Sequence, residues 1–334
     1  MFLFDKEKQM AHELEFVNGK AAMAYAGDVP WHGLGKKVPA DLSPEQMLQA
    51  ANLDWRVEKR PMFFTDANNS PVMTKSRALV RSTDSKLLTV VSEEWNPVQN
   101  IEAFEFFNDF VNAGDMSMHT AGSLKEGKMV WALAKINDSF ELFGGDKVEG
   151  YLLFSNPHEF GRSIDVRFTP IRVVCNNTLT MSLNEDAKFS VKTNHRSKFN
   201  ADQVKETLGI AKDQLSHYKD QAQFLGSKKF SNESITEYFN RVFPSLSKDE
   251  SKKFDIRKLP ISRQAEEAMA NLDSQPGARF AEGSWWHAFN TVTYLTDHIL
   301  GRSVDTRLTS AWYGQNRIKK EKALQLAVEY AEAS

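Results

Sequence analysis

The residues best placed to do chemistry in this chain are cations. Between Lys188 and Lys229 there are nine basic residues against four acids, a local balance of +5. Just upstream, Arg162, Arg167 and Arg172 fall in or beside Ser163-Ile-Asp-Val-Arg-Phe-Thr169, a run with the two-residue alternation of a strand. Ile164, Val166 and Phe168 would take the core side and leave Arg167 on the other face. Arginines on a strand beside a Lys-rich loop make a track for phosphates. The residues expected to contact phosphate are Arg162, Arg167, Arg172, Lys188, Lys192, Arg196 and Lys198, with Phe189 and Phe199 as groups on which bases could stack. Phe160 and Phe168 interleave with the same cations. A solvated helix surface over core phenylalanines would produce a similar pattern, so the charge run by itself does not decide between the two.

Other chemistries find less support. Gly-x4-Gly-Lys-Ser/Thr does not occur, nor does Gly-x-Gly-x-x-Gly after a strand, which disfavours motor and dehydrogenase chemistry. The eight histidines are scattered at 12, 32, 119, 158, 195, 217, 287 and 298 with no metal-binding spacing. His287 and His298, eleven apart on one helix face, read as buried hydrogen-bonded histidines. Cys175 is the one thiol. Its setting after Arg172-Val-Val, at a strand end leading into Asn176-Asn-Thr178, would lower a thiol pKa, although a small buried core residue explains it better. No Gly-x-Ser-x-Gly elbow is present. The sequence calls for no cofactor and no metal.

The elements that must position these groups change in character along the chain. Residues 1–60 read as an arm packed on the body, because Trp31 and Trp55 would be costly in water and Ser43-Pro-Glu45 opens a short helix. Residues 61–199 are dominated by strand signals, including Pro71-Val-Met-Thr, Arg77-Ala-Leu-Val-Arg, Met129-Val-Trp-Ala-Leu-Ala and Gly150-Tyr-Leu-Leu-Phe. One helix, over 101–111, interrupts them. Residues 200–334 are helical: Val204, Leu208, Ala211, Leu215, Tyr218, Ala222 and Leu225 recur in steps of four and three, an apolar seam of three heptads. Further helices are predicted over 232–242, 262–272, 284–300 and 317–331. The fold class is α+β, a mostly antiparallel sheet with a crossing helix followed by a helical region.

Composition bounds the rest. The chain has 334 residues, 41% hydrophobic and 26% charged, which is ordinary for a globular protein and excludes disorder, collagen-like repeats and disulfide scaffolds. A formal charge of −2 means that nucleic-acid binding would rest on a local surface. No run approaches the roughly 18 apolar residues of a membrane span, and the lone cysteine fits a reducing compartment; the expectation is a cytoplasmic protein without a membrane partner.

Arg172-Val-Val-Cys-Asn-Asn-Thr-Leu179, preceded by Thr169-Pro170, resembles the hallmark of phage- and plasmid-encoded proteins carrying the domain of unknown function 932. Trp31-His-Gly-Leu-Gly35, Gly122-Ser-Leu-x-x-Gly-Lys-x-Val-Trp131, and Trp286-x-x-x-Asn290-x-Val292 with Asp297-His298 are similar to further signatures of that family. The likeness spans about residues 25 to 325. Where members often carry a basic residue, His and Thr in succession, this chain has Lys192-Thr-Asn-His195-Arg196, so no role transfers to His195. The resemblance implies a mobile element in a bacterial cell and no particular activity.

Together these readings predict a non-enzymatic accessory protein that binds single-stranded DNA, in outline like ATP-independent annealing proteins, and that forms a homo-oligomer; the helical seam reads first as a helix lying along the protein's own core, with self-association as its alternative. Two alternatives stand beside it. One is an enzyme acting on nucleotides or nucleic acid around Cys175, Asn176, Asn177 and His195. The other is a factor that binds a host protein through Trp285, Trp286, Trp312 and Tyr313.

Overall fold

The computed structural model describes residues 14–30, 33–172, 177–178, 190–195, 199–208, 211–245, 260–301 and 304–334. It divides into two compact units. Unit 1 comprises Met1–Asn137, Tyr151–Phe168 and Lys188–Ala211; unit 2 comprises Asp138–Gly150, Thr169–Ala187 and Lys212–Ser334.

The first unit contains short strands β1 (Phe16–Val17), β2 (Lys20–Ala21), β3 (Met23–Tyr25) and β4 (Lys36–Lys37), helix α1 (Pro44–Ala50), and the strands β5 (Val57–Thr65), β6 (Pro71–Arg81) and β7 (Leu87–Ser92). Helices α2 (Asn100–Glu105) and α3 (Asn108–Asn112) follow, then β8 (Met116–Leu124); β9 (Met129–Leu142), β10 (Asp146–Pro157) and β11 (Ile164–Arg172) each run through both units, β12 (Asn177–Thr178) belongs to the second, and β13 (Ser190–Thr193) and α4 (Ala201–Leu208) return to the first. The larger sheet has the order β12-β11-β10-β9-β8-β3-β4, with β13 also on β11. A separate antiparallel sheet has the order β5-β6-β7. Strands followed by helices, with chiefly antiparallel pairing, make the fold α+β.

Local chemistry accounts for these elements. Pro44 sits at the first position of α1, where its missing N–H costs nothing, and Ser43 and Gln46 cap each other reciprocally at 3.2 and 2.9 Å. Packed on β3, β8 and α2, α1 buries Met47 and Leu48. The helix predicted over 101–111 is two short helices broken at Phe106 and Phe107, both fully buried. Phe106 lies 5.2 Å from Phe154 and Phe107 lies 6.3 Å from it, so both rings reach the ring that β10 presents. At the start of the described chain, Glu15 pairs with the buried Arg81 guanidinium, which also holds Asp84 at 2.7 Å. Burial opposes the charge on Arg81, but the hydrogen bonds to Asp84 and Glu15 outweigh it and raise its pKa.

At Gly122 the fold requires a residue without a side chain. Gly122 pairs with Trp131 on β9 and with Met23 on β3. A Cβ there would stand 3.1 Å from both the Ala22 carbonyl oxygen and Trp131 Cζ2. The carbonyl is backbone and Trp131 is fully buried, so neither can yield cheaply. Gly122→Val is expected to cost about 1–3 kcal/mol by overpacking. Urea unfolding of the variant checks this, and a midpoint equal to that of the unaltered chain would show that the strand accommodates the side chain.

The second unit holds the hairpin turn between β9 and β10, the pairing of β12 with the end of β11 (Ile171 opposite Thr178, Arg172 opposite Asn177), and a helical array. Its helices are α5 (Ala211–Ser227), α6 (Asn232–Val242), α7 (Arg263–Asn271), α8 (Trp285–Tyr294), α9 (Val304–Tyr313) and α10 (Gln315–Glu332). The predicted heptad seam is divided between α4 and α5, with residues 209 and 210 outside the described part. α8 and α10 pack together, and α6 and α9 pack on α10. The core is aromatic: Trp285 stacks on Tyr330 at 5.0 Å and meets Tyr238 edge-on at 5.4 Å, while the Trp286 indole N–H donates to Asp146 Oδ2 at 3.0 Å. Between α8 and α9, Leu295–Ile299 forms a π-turn.

Candidate nucleic-acid interface

The register of β11 against β13 sets the geometry of the predicted track. Ile164, Asp165, Val166 and Arg167 stand opposite Thr193, Lys192, Val191 and Ser190. Cross-strand partners share a face. Ile164 and Val166 are buried on one face, joined there by Phe168, while Asp165, Arg167 and Lys192 lie on the other. The alternation read from the sequence is therefore present, and it brings Arg167 and Lys192 to adjoining strands around one carboxylate.

That carboxylate changes the electrostatics. Asp165 is buried and forms an ion pair with the half-buried Arg167. Lys192, directly opposite Asp165, is exposed. The face thus carries one net positive charge rather than two. In the loop between β10 and β11, Arg162 is exposed and pairs with Glu159 at 3.0 Å. Phe160, two residues before it, is 64% exposed, and Gly161 supplies the left-handed backbone (φ +80°) that turns the loop between them.

The remaining predicted residues divide in two. Phe199 packs edge-on against Phe154 at 5.5 Å and lies 6.3 Å from Phe106, so its ring lines the core of unit 1 rather than a stacking platform. Arg172 is placed at the end of β11 opposite Asn177. Lys188, Phe189, Arg196 and Lys198 lie outside the described residues, as do Cys175 and Asn176. Of the aromatic residues offered as a host-binding surface, Trp285 and Trp286 are fully buried and belong to the core, while Trp312 and Tyr313 are half-buried.

Next to the track stands a feature that the sequence did not reveal. His195, just after β13, stacks on Trp95 at 4.0 Å, and its backbone carbonyl accepts the Asn96 N–H at 2.7 Å. Its Nδ1 faces the Asn96 carbonyl oxygen at 3.3 Å. His158 is fully buried, and its Nε2 lies 2.9 Å from Asn100 Oδ1. The Asn100 amide nitrogen already donates to the Leu53 carbonyl at 3.0 Å and reaches that of Trp55 at 3.4 Å, so Nε2 is the donor to its oxygen. Burial pushes His158 down to about 3, with the nearby His195 adding to the effect. Burial also takes His195 down to about 4, against the opposing pull of the Asn96 and Pro157 carbonyls. Both rings are neutral at pH 7, so they add no positive charge to the track. The 36 residues between them in the sequence conceal their proximity.

Among the described residues, no group of three or more His, Cys, Asp and Glu could hold a metal ion, and no helix is long and apolar enough to cross a membrane. His287 is buried, with its Nδ1 accepting the Gly283 N–H at 3.1 Å and its Nε2 donating to the Leu272 carbonyl at 2.5 Å. A family model described as domain of unknown function (DUF932) matches residues 87–312. No curated protein and no solved structure matches the chain.

Proposed function

Since the chain belongs to the family of the domain of unknown function 932, whose description carries no activity, we propose a function from its own residues: binding of single-stranded DNA as an accessory to phage or plasmid recombination or replication in the bacterial cytoplasm. The observation that carries this reading is the polar face of β11 and β13, where exposed Lys192 flanks the Asp165–Arg167 pair while the opposite face is core. A phosphate entering beside Lys192 would compete with Asp165 for the Arg167 guanidinium, whose planar fork suits a phosphate oxygen pair. Arg162 extends the track, and the exposed Phe160 ring beside it offers a surface for base stacking. Arg172, Lys188, Arg196 and Lys198 complete the proposed track in the sequence. Binding of this kind needs no nucleotide hydrolysis, in keeping with strand annealing without ATP.

Salt dependence tests the proposal, because each phosphate contact to a single strand contributes about 0.7 to the slope of log affinity against log salt. Fluorescence anisotropy with a short labelled strand, and with the same sequence as duplex, is expected to show salt-sensitive binding that favours the single strand. Arg167→Ala and Lys192→Ala should each reduce the slope by about 0.7. Phe160→Ala should weaken binding about tenfold with the slope unchanged. Absence of binding at low salt overturns the function. Binding with unaltered slopes in the two charge variants overturns the site.

A further inference from the structure

We propose that the outward face of the β5-β6-β7 sheet, with the tip of its hairpin, is the surface through which two copies of this chain associate. The register divides the sheet. Val57 pairs with Arg81, Leu79 with Thr89 and Arg77 with Val91, and the buried Val57, Leu79 and Val91 mark the inward face. Glu58 opposite Val80, Arg60 opposite Ala78, Val80 opposite Leu87 and Ala78 opposite Val90 mark the outward face. On that face Leu87 is 53% and Val90 39% exposed.

Toward the turn, Phe63 pairs with Met73 and Phe64 with Val72. Successive residues of a strand point to opposite faces, so each face of the tip carries an apolar pair. Phe63 and Phe64 are each 56% exposed and Met73 60%. A hairpin covering its own core hides one face. A tip that is apolar on both faces gains most when it is clasped between surfaces of a partner.

The amount and the charge both indicate a second copy. The exposed parts of Phe63, Phe64, Val72, Met73, Leu87 and Val90 amount to roughly 500 Å² for side chains of these sizes. A standard interface takes about 800 Å² from each partner, and homodimer interfaces are about 65% apolar, which again comes to roughly 500 Å². The charged side chains that the register puts on the outward face, Glu58 and Arg60, form an ion pair with each other. The face is therefore neutral and offers no attraction to a polyanion. About a two-fold axis, however, Arg60 of one copy can meet Glu58 of the other without like charges facing. Pairing through the free edge of β5 is opposed by Pro61, which has no N–H to donate, and by the register shift between Pro61 and Phe63. Contact through the face has neither obstacle.

Sedimentation velocity on the full chain over a range of concentrations tests this. The unaltered chain should show a monomer–dimer equilibrium, and Leu87→Lys with Val90→Lys should weaken association at least about a hundredfold. Leu87 is about half exposed and Val90 more than a third, and urea unfolding of the variant checks that the fold is kept. If that variant fails to fold, Phe64→Ser with Val72→Ser at the tip tests the same surface. A chain that stays monomeric at every concentration overturns the proposal, and so does a folded variant that dimerises as before. Anisotropy on the same samples separates this surface from the DNA track. Loss of single-strand binding with dimerisation intact would mark the face as a nucleic-acid platform and overturn the proposal, whereas loss of dimerisation with binding intact supports it and leaves the β11–β13 reading standing.

Discussion

Lowering the pH from 7 to 5 is expected to remove about 3–4 kcal/mol of stability, through two histidines that have no carboxylate partner among the described residues to repay their protonation. His158 and His195 titrate at about 3 and about 4 in the folded chain, against about 6.5 when unfolded. Below pH 6.5 the unfolded chain takes up two protons that the folded chain refuses, so stability falls as pH falls. Their full contribution is present above pH 6.5 and is lost progressively toward pH 4. Carboxylates held low, such as Asp84 at about 2 through its hydrogen bond from Arg81, contribute in the same direction only at lower pH. Urea unfolding at a series of pH values should give a slope of about 2–3 kcal/mol per unit around pH 5, with about half from each histidine. His195→Phe keeps an aromatic ring on Trp95 and should halve that slope. Equal stability at pH 7 and 5 would mean that the two rings are charged or solvated in the fold.

The parts of the fold governed by local chemistry were legible in the sequence. Ile164, Val166 and Phe168 alternate as a half-buried strand should, and Ser43 with Pro44 announces a helix start that the structure contains. The failures share a cause, in that apolar periodicity does not report where the backbone departs from its ideal path. Over 101–111 the spacing of Ile101, Phe104, Phe107 and Val111 fits one helix, yet Phe106 also belongs in the core, and the chain breaks to seat both adjacent rings. Runs 71–74 and 77–81 read as two strands because Lys75 and Ser76 are polar. They form one strand with a register shift, where Arg77 reaches back to the carbonyls of Thr74 at 3.0 Å and Ser76 at 3.1 Å. Helix α9 was not predicted, although Val304, Leu308, Ala311 and Trp312 stand at helical spacing.

The neighbouring placement of Arg167 and Lys192 was legible in the sequence, and their charge balance was not. Reading cations along the sequence finds Arg167 and Lys192 but does not weigh Asp165, two residues away on the same face and bonded to one of them. An Asp two positions from an Arg in an alternating strand is a recognisable signal of that pairing. Phe199 shows the opposite limit. Its neighbours Phe106 and Phe154 are distant in sequence, so nothing local distinguishes a core ring from a stacking platform. The apolar hairpin tip gives the same lesson in reverse, since Phe63-Phe64 reads as ordinary strand until the register sets the two rings on opposite faces, each 56% exposed.

Lys320→Met is expected to destabilise the helical unit by about 3–5 kcal/mol, because it takes a cation from a buried carboxylate. The π-turn after α8 carries an extra residue, visible in the Leu300 N–H reaching the Leu295 carbonyl at 2.6 Å. Such a turn leaves carbonyls without their usual partners. Asn316, in the first turn of α10, supplies donors to those of Thr296 at 2.6 Å and Leu300 at 3.1 Å. One turn further along the same face, Lys320 donates to Asp297 Oδ1 at 2.8 Å, with side chains 1% and 7% exposed. Two charges that deep gain little over an apolar pair of equal volume, whereas removing one leaves the other buried without its counter-charge. The double variant Lys320→Met with Asp297→Leu should therefore recover most of the stability lost in Lys320→Met alone, a coupling of several kcal/mol between the two sites. Urea unfolding of the unaltered chain, both single variants and the double variant measures it. If Lys320→Met costs under about 1 kcal/mol, Asp297 is held by its other neighbours and the ion pair does not fasten the π-turn to α10.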